Sequence, residues 1–565
     1  MGAEDFIPEG EVPARAEAPA EAPPAPRLRW PPLALGLMLL PAVLLLWFGG
    51  LETISRGAHA LAFPCQLDRE EGFLLDQATR IARGEQIYRP IDDYPFVAST
   101  YPPVYPLAFA AAVAVTKPVL PAGRALVLLA ALVVLAVLAN VTLRAGPGVA
   151  PAFLAMGLLL ANWEVHEWIA FARVDFPALA FGLAGLATAT MSRRWGWQVL
   201  AGLLFVVAFF TKQTQVVAPA AVVLAMLLRR EHARAFALSG IVAAGVLGGI
   251  AALSAATAGE FWRHTIVYNA NDFVPGQIET WLRHLWRFSS IKLVAGVVVL
   301  AVLPWLARLA RASGDEDASR RPADITAVAA IYTLLAGLTL LSTGKAGAAG
   351  NYLIEFQAAL ALLLATGLGR VQALLAAGAG PRGRLLALGA AVAALLAAQG
   401  AWYAARGRQM LSPPPQFADQ VRVAERIIHE SVLLRVTETE GDILTVYPVF
   451  ATYANRPVLL QPFILSQLAR EGKWDQSPLV ADIEARRFAL VITRTDFRRE
   501  GHNPDFTAEM IRALRENYRL DDLIGPFFLF VPRDVPEAPG NQVRLIRSIA
   551  SAPLALNTTR PPAYV

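Results

Sequence analysis

The chain has 565 residues, of which 55% are hydrophobic and only 17% are charged, whereas about a quarter of the residues of a typical soluble domain are charged. This composition indicates a membrane protein and argues against a soluble globular enzyme. The formal net charge of +5 is small and gives no indication of a nucleic-acid partner. A single cysteine, Cys65, excludes an intrachain disulfide and a cysteine-rich metal site.

The N-terminal segment differs in composition from the rest of the chain. Residues 1–29 are rich in Pro, Ala and Glu, which predicts a disordered cytoplasmic segment, since they lack the apolar content to pack. The next apolar run, from Trp30 to Phe48, is long enough to span a bilayer and has no convincing cleavage site. We therefore expect no cleavable signal peptide.

Long apolar runs then dominate the chain up to Tyr403. About eleven of them approach the length of a membrane span: 31–50, 124–143, 148–163, 176–190, 197–211, 214–228, 236–256, 290–307, 324–342, 353–368 and 385–403. They predict a polytopic α-helical membrane protein with a transmembrane domain over residues 30–403.

The direction of the spans depends on the apolar stretch from Val104 to Val115. It has only about 12 residues, too few to cross a hydrocarbon core of about 30 Å. If it does not cross, every basic cluster lies on the same side as Arg27 and Arg29, as the positive-inside rule requires: 144, 193–194, 229–234, 308–321 and 370–384. The sequence thus predicts extracytoplasmic loops at 51–123, 164–175, 211–214, 257–289 and 342–352, and an extracytoplasmic C-terminus.

The residues after Tyr403 have a different pattern. Short β-rich segments, Ile443–Tyr447, Phe488–Thr493 and Phe527–Val531, alternate with helical patterns at 416–432 and 506–518. This alternation predicts a small periplasmic α/β domain over residues 404–565. It has neither a glycine-rich phosphate loop nor a nucleophile elbow, so we expect a supporting or acceptor-facing role.

The first outward loop contains an acidic cluster. The sequence LDREEG, from Leu67 to Gly72, precedes a helical pattern from Phe73 to Arg83 whose apolar residues fall on one face, as in a helix that lies in the membrane interface. Asp68 and Glu71 are three residues apart and can face the same way near the helix start. They are candidate catalytic carboxylates, but a helix N-cap with its capping carboxylate explains them equally well.

The second outward loop contains His166 and ends in the sequence Ala172-Arg173-Val174-Asp175. Arg173 could bind a phosphate through two hydrogen bonds while Asp175 orients it. Asp175 and His166 could also contribute to a divalent-metal site. An arginine and aspartate that anchor a helix end are the alternative.

Two further outward turns contain lysines. Lys212 and Gln213 separate two spans with no room for a loop, and Lys345 precedes Asn351 and Tyr352. Outward lysines run against the positive-inside trend and need a partner or a function, unless their side chains simply extend to the interface. Carboxylates for proton removal and cations for phosphate binding, together at one membrane face, suit chemistry on a lipid-linked phosphate sugar.

These segments resemble the GT-C glycosyltransferases, in particular the bacterial branch similar to dolichyl-phosphate-mannose-protein mannosyltransferases and aminoarabinose transferases. The resemblance lies in DREEGFLLDQATRIARGEQIYRP, YPPVYPL, ARVDFPALAF, FFTKQT and GNYLIEF, and extends over residues 30–400. Many members have adjacent Asp and Glu in the first loop, whereas this chain has Glu70 and Glu71 with Asp68 upstream. The identity of the base among these three residues therefore stays open.

The resemblance implies a glycosyltransferase of the bacterial inner membrane, active on its periplasmic side. Asp68 or Glu71 would remove the proton from an acceptor hydroxyl, and Arg173, Lys212 and Lys345 would bind the phosphate of a polyprenyl-phosphate sugar. The transfer would invert the anomeric centre, move a hexose or pentose to a glycan, lipid or protein, and require no obligatory metal. A transporter or flippase for a lipid-linked or anionic solute is the alternative, although transporters usually place charges near the bilayer midplane.

Overall fold

The computed structural model describes residues 30–312, 316–407, 415–499, 503 and 505–536. The predicted disordered segment 1–29 lies outside the described residues, as do residues 408–414 and 537–565 of the predicted C-terminal domain.

Helices account for most of the chain up to Tyr403. They are α1 (Trp30–Ala62), α2 (Arg69–Ala82), α3 (Val104–Thr116), α4 (Leu120–Ala145), α5 (Val149–Leu160), α6 (Trp163–Trp168), α7 (Asp175–Met191), α8 (Trp195–Thr211), α9 (Val217–Leu228), α10 (His232–Ala256), α11 (Glu260–Trp262), α12 (Pro275–Ala312), α13 (Glu316–Leu338), α14 (Asn351–Ala377) and α15 (Arg382–Trp402). Irregular helical turns follow α11, α13 and α15 at Arg263–Val267, Thr339–Gly344 and Tyr403–Gly407.

Each of the predicted apolar runs coincides with one of these helices. Within the described residues, seven helices are long and apolar enough to cross a membrane, and five apolar helices are shorter, among them Val104–Thr116. At 1.5 Å per residue, the 13 residues of Val104–Thr116 extend about 20 Å, less than the hydrocarbon core of about 30 Å, so its failure to cross stays a prediction. The protein is therefore a multi-pass membrane protein, while the count of eleven crossings stays a prediction.

The first helix is longer than the sequence pattern predicted. We expected the first loop to begin at residue 51, but α1 continues for 33 residues to Ala62. The polar residues after Leu51 interrupt the apolar pattern but not the helix, because a helix can continue beyond the hydrocarbon core. The first loop, from Phe63, is thus shorter than expected.

Helix α14 forms the centre of the membrane domain. In the most apolar 18-residue stretch of this helix, 94% of the residues are buried inside the protein. It contacts α4, α5, α12 and α13. At one of these contacts, Gly146 after α4 meets Gly369 of α14, and a Cβ at Gly146 would lie only 2.0 Å from the carbonyl oxygen of Gly369. Only glycine fits this approach of two backbones.

The C-terminal region folds around a mixed four-stranded sheet in the order β1-β2-β4-β3. Its strands are β1 (Asp442–Thr445), β2 (Phe488–Thr493), β3 (Tyr518–Ile524) and β4 (Phe527–Pro532), and its helices are α16 (Pro415–Glu438), α17 (Pro448–Tyr453), α18 (Pro462–Arg470), α19 (Ser477–Glu484) and α20 (Ala508–Asn517). Strands β1 and β2 pair in parallel, and the other two pairs are antiparallel. Sequence analysis missed β3 because this edge strand is half-exposed and includes Asp521 and Asp522.

The C-terminal domain packs directly on the first loop. Helix α2, predicted to lie in the membrane interface, is instead buried from Glu71 to Arg80 between α3 and α17. The approach to α17 is close, because a Cβ at Gly72 would lie 2.8 Å from Cγ of Pro448. A β-bridge between Phe96 and Leu460 adds a second connection. The residues at the start of α2 therefore face both domains.

The contact between Gly146 and Gly369 leads to a stability prediction. We expect Gly146→Ala to lower the thermal unfolding temperature of the detergent-purified protein, because the new methyl group requires α4 and α14 to separate. Gly248→Ala is the matched control, since a Cβ at Gly248 has open space around it and alanine favours the helix. Equal melting temperatures for Gly146→Ala and the wild type would contradict this account of the packing.

Candidate functional site

A cavity of about 400 Å³ lies where the outward loops meet the C-terminal domain. The first loop, the α6–α7 connection, the turn after α8, the region around Thr265 and the segment before α14 all contribute to it, together with α18 of the C-terminal domain. Its lining residues are Asp68, Arg69, Glu70, Thr100, Tyr101, Trp168, Arg173, Lys212, Gln213, Thr214, Thr265, Ile266, Asn269, Asn271, Ser342, Lys345, Ala346, Gly347, Ala349, Asn351, Tyr352, Phe463 and Ile464. The cavity thus brings together most of the predicted site residues.

Asp68 is both a cavity residue and the N-cap of α2. Its carboxylate accepts a hydrogen bond from the backbone N–H of Glu70 at 3.1 Å, and Glu71 accepts one from the backbone N–H of Asp68 at 3.3 Å. This is a capping box, so Asp68 and Glu71 do form the N-cap and its capping carboxylate that the sequence offered as one interpretation. Asp68 also accepts a hydrogen bond from Arg173 at 2.8 Å, which ties the first outward loop to the second.

Glu71 does not line the cavity. It is completely buried and forms two hydrogen bonds with the guanidinium of Arg124, at 2.7 and 3.1 Å. Its carboxylate also accepts hydrogen bonds from the backbone N–H groups of Leu67, at 2.5 Å, and Ala172, at 3.0 Å. A carboxylate with both oxygens bonded in this way has no access to a substrate hydroxyl. The geometry therefore assigns Glu71 a structural role in place of the catalytic one that the sequence predicted.

Glu70 projects into the cavity beside Asp68. Within the described residues, its carboxylate forms no hydrogen bond or ion pair. Burial raises the pKa of Glu70 above the ordinary value of a glutamate, while the nearby Arg173 guanidinium offsets part of the rise. A carboxylate with unoccupied oxygens and a raised pKa has the properties of a general base.

Arg173 is held in place by polar and aromatic partners. It donates a hydrogen bond to the hydroxyl of Tyr101 at 3.0 Å, in addition to the one to Asp68. Its guanidinium carbon lies 5.6 Å from the ring centroid of Trp168 and 5.9 Å from that of Tyr101. The two rings add cation–π attraction, so the guanidinium is fixed at the cavity wall.

Lys212 is paired with Asp175. The ammonium donates a hydrogen bond to Asp175 at 2.6 Å, and the Asn351 amide donates one to the same carboxylate oxygen at 2.9 Å. Lys212 also lies 5.1 Å from the ring centroid of Tyr352. These contacts explain how a lysine is accommodated between two apolar helices: its charge is neutralised locally.

Lys345 differs from the other two cations because its partner is neutral. It donates a hydrogen bond to the side-chain oxygen of Asn269 at 2.6 Å. Burial, reinforced by the positive charge of Lys212, lowers the pKa of Lys345 to about 8. Its charge is thus available to an anion in the cavity.

The remaining predicted residues divide into two groups. Gln213 lines the cavity and donates hydrogen bonds to the carbonyl oxygens of Thr100 and Thr265, at 3.0 and 3.1 Å. His166 is buried away from the cavity and bonds to Thr53 at 3.1 Å. Within the described residues, no three His, Cys, Asp or Glu side chains are grouped as metal ligands, so the possible metal site at His166 and Asp175 has no further ligand there.

Several cavity residues escaped sequence analysis. Asn269 and Asn271 come from the outward loop before α12, and Phe463 and Ile464 come from the C-terminal domain. Their sequence surroundings contain no motif that would have revealed them. Only the fold brings them to the cavity.

Two further cavities lie next to one another on one side of the site. A cavity of about 290 Å³ is lined by Asp175, Lys212, Tyr352 and Glu355, among others, and shares Lys212 and Tyr352 with the site. An apolar groove of about 440 Å³ between α8, α9 and α10 adjoins it and shares Gln215 and Val216 with that second cavity. The second cavity therefore lies between the polar site and the apolar groove and shares residues with both.

Comparisons with known proteins agree with this architecture. Residues 100–337 match glycosyltransferase family 87 (GT87). By this match, the chain is a glycosyltransferase. The fold is similar to that of ArnT from Cupriavidus metallidurans bound to undecaprenyl phosphate, with a TM-score of 0.52 and 13% identity over 87% of this chain and 97% of that chain.

The apo structure of the same ArnT is equally similar, with a TM-score of 0.53 and 13% identity over 85% of this chain and 96% of that chain. No curated protein matches this glycosyltransferase by sequence. The GT87 match supports the predicted enzyme class over the transporter alternative.

The buried pair of Glu71 and Arg124 leads to the second prediction. We expect Glu71→Gln to lower the melting temperature of the glycosyltransferase markedly, because it leaves a buried arginine without its counter-charge, a change that typically costs about 3–5 kcal/mol. Glu70→Gln, one residue away, is the matched control and should melt close to the wild type. Similar melting temperatures for all three proteins would show that the pair does not stabilise the fold.

Proposed function

We propose that this glycosyltransferase transfers a sugar, with inversion, from a polyprenyl-phosphate donor to an acceptor hydroxyl in the cavity, with Glu70 as the base. The observation that carries the proposal is that two charged residues without an ion pair among the described residues, Glu70 and Lys345, line one cavity. A second cavity lies between this cavity and an apolar groove and shares lining residues with both. Such a site can deprotonate a hydroxyl and stabilise a leaving phosphate.

The lipid part of the donor would occupy the apolar groove. The related ArnT structure contains undecaprenyl phosphate, a lipid with a long isoprenoid chain and a single phosphate. In this chain the groove between α8, α9 and α10 offers an apolar surface, and the connecting cavity leads from it to Lys212. A lipid tail in the groove would thus place its phosphate at the polar site.

Lys345 is the strongest candidate for the phosphate. Arg173 and Lys212 are each paired with a carboxylate, Asp68 and Asp175, so much of their charge is already neutralised. In the part of the chain that the structure describes, Lys345 bonds to the Asn269 amide and to no carboxylate, so its charge is not neutralised by an ion pair. We therefore assign phosphate binding mainly to Lys345, with Arg173 and Lys212 as additional hydrogen-bond donors.

The reaction would proceed as one displacement. Glu70 accepts the proton of the acceptor hydroxyl as its oxygen bonds to the anomeric carbon. The bond from that carbon to the phosphate oxygen breaks, and polyprenyl phosphate leaves with the bonding electrons. Attack opposite to the leaving group inverts the anomeric configuration. Asp68, which is paired with Arg173, is the second candidate for the base.

The cavity would face the extracytoplasmic side. Arg144 donates hydrogen bonds to the carbonyl of Ala187 near the end of α7, and Arg193 pairs with Glu231 before α10. These basic loop residues therefore cluster at one end of the bundle. Asp175 starts α7 and Lys212 ends α8, at the opposite end. The positive-inside rule assigns the basic end to the cytoplasm.

The third prediction tests the reaction. With purified protein and a panel of polyprenyl-phosphate sugars, we expect at least one donor to release polyprenyl phosphate. We expect Glu70→Gln to reduce kcat by about a hundredfold or more, the usual contribution of a general base, and donor binding to persist. The measurement is the rate of polyprenyl phosphate release beside donor affinity.

The same assay includes a control variant and tests whether Asp68 is the base instead of Glu70. Glu85→Gln is the matched control, because Glu85 belongs to the same loop but lies outside the residues that line the cavity. If Glu70→Gln keeps full activity and Asp68→Asn loses it, Asp68 is the base and Glu70 is not. Absence of release with every donor that binds would overturn the proposed function.

The fourth prediction concerns pH. Lys345 is protonated below its pKa of about 8, so kcat/KM for the donor should fall as the pH rises through about 8. In Lys345→Arg this alkaline fall should disappear, because a guanidinium stays charged well above that range. An unchanged alkaline limb in Lys345→Arg would show that the charge of Lys345 is not required.

A further inference from the structure

We propose that Asp505 of the C-terminal domain is a positioning residue that holds Arg69 and so controls the basicity of Glu70. The inference rests on the proposed function, since it requires Glu70 to act as the base. It assigns the C-terminal domain an electrostatic part in the reaction beyond lining the cavity.

Arg69 is the residue through which Asp505 would act. It lies between Asp68 and Glu70 at the start of α2 and lines the cavity. One of its terminal nitrogens forms a hydrogen-bonded ion pair with Asp505, 436 residues further along the chain. Its guanidinium carbon also lies 5.4 Å from the ring centroid of Phe463. The C-terminal domain therefore contacts this side chain at two points.

The segment around Asp505 is itself fixed in position. The backbone N–H of Asp505 donates to the side chain of Asn503 at 2.8 Å, and Ser466 donates to the carbonyl of Asp505 at 2.8 Å. Arg470 donates to the carbonyl of Asn503 at 2.9 Å. Ser466 and Arg470 belong to α18, the helix that also presents Phe463. One helix thus positions both groups that hold Arg69.

The charges around Glu70 explain why this matters. Glu70 experiences Arg69 and Asp68 from its own loop, Arg173 from the α6–α7 connection and Asp505 from the C-terminal domain, while Lys212 and Lys345 line the same cavity. Asp505 neutralises Arg69. Without it, an uncompensated guanidinium would stabilise the ionised carboxylate of Glu70, lower its pKa and make it a weaker base.

The mechanism predicts opposite effects for the two partners. In Asp505→Asn, the acid limb of the pH profile of kcat/KM should move to lower pH by about half a unit or more, and the plateau of kcat should fall severalfold. In Arg69→Gln, the uncompensated charge of Asp505 should move the limb to higher pH. In the double variant, from which both charges are removed, the limb should return close to its wild-type position.

This pattern separates positioning from a purely structural role. If Asp505 only attached the domain, removal of Arg69 could not restore the pH profile of Asp505→Asn. Asp521→Asn is the matched control, because Asp521 pairs with Arg435 in the same domain at 2.6 Å, with exposures of 40% for Arg435 and 10% for Asp521, against 30% for Arg69 and 12% for Asp505. Its profile should equal that of the wild type.

The outcomes distinguish the two proposals. Wild-type protein that releases no polyprenyl phosphate from any donor contradicts the proposed function. Active wild-type protein with an Asp505→Asn profile that does not shift, or a shift that persists in the double variant, overturns the inference alone. Melting temperatures of all variants identify any that fail to fold, and Asp505→Glu, which keeps the charge, should retain the wild-type limb.

Discussion

The arrangement of the site depends on the buried ion pair between Glu71 and Arg124. The guanidinium of Arg124 also donates to the carbonyl oxygens of Ala60 and Cys65, at 2.9 and 2.7 Å, and so connects the end of α1, the first loop and α4. Glu71 accepts the backbone N–H of Ala172, one residue before Arg173. The pair thus fixes both outward loops at once, which is why its full burial is tolerated despite the desolvation cost of two charges.

This pair also sets the direction of the neighbouring side chains. With Glu71 directed inward as part of the capping box, Glu70 projects to another side of the first turn, since successive helical residues lie about 100° apart. Asp68 neutralises Arg173 in the cavity, and Asp175, which lies outside the cavity lining, neutralises Lys212. Among the described residues that line the cavity, Glu70 and Lys345 are the charged side chains that form no ion pair, and they are the ones to which we assign the proton and the phosphate.

Much of this site could be predicted from the sequence, because apolar runs and basic loops predict which loops lie at the same end of the helix bundle. Four residues from the loops predicted to face outward, Asp68, Arg173, Lys212 and Lys345, line one cavity. The different environments of Glu70 and Glu71 could not be predicted from the sequence, because they depend on Arg124, 53 residues from Glu71. The contributions of Phe463 and Asp505 could not be predicted either, because these residues reach the first loop only through the packing of the C-terminal domain. Strand β3 was missed for a local reason, since an edge strand does not need the apolar alternation that reveals buried strands.

The contacts of the first turn of α2 connect the C-terminal domain to the membrane domain. Three of four consecutive residues there have partners in different parts of the chain: Asp68 bonds to Arg173, Arg69 to Asp505, and Glu71 to Arg124, whereas Glu70 lines the cavity. The orientation of this turn therefore reflects the docking of both domains. The proposed base, Glu70, has no hydrogen bond from its carboxylate among the described residues, so its position for the proposed reaction depends on the residues on either side.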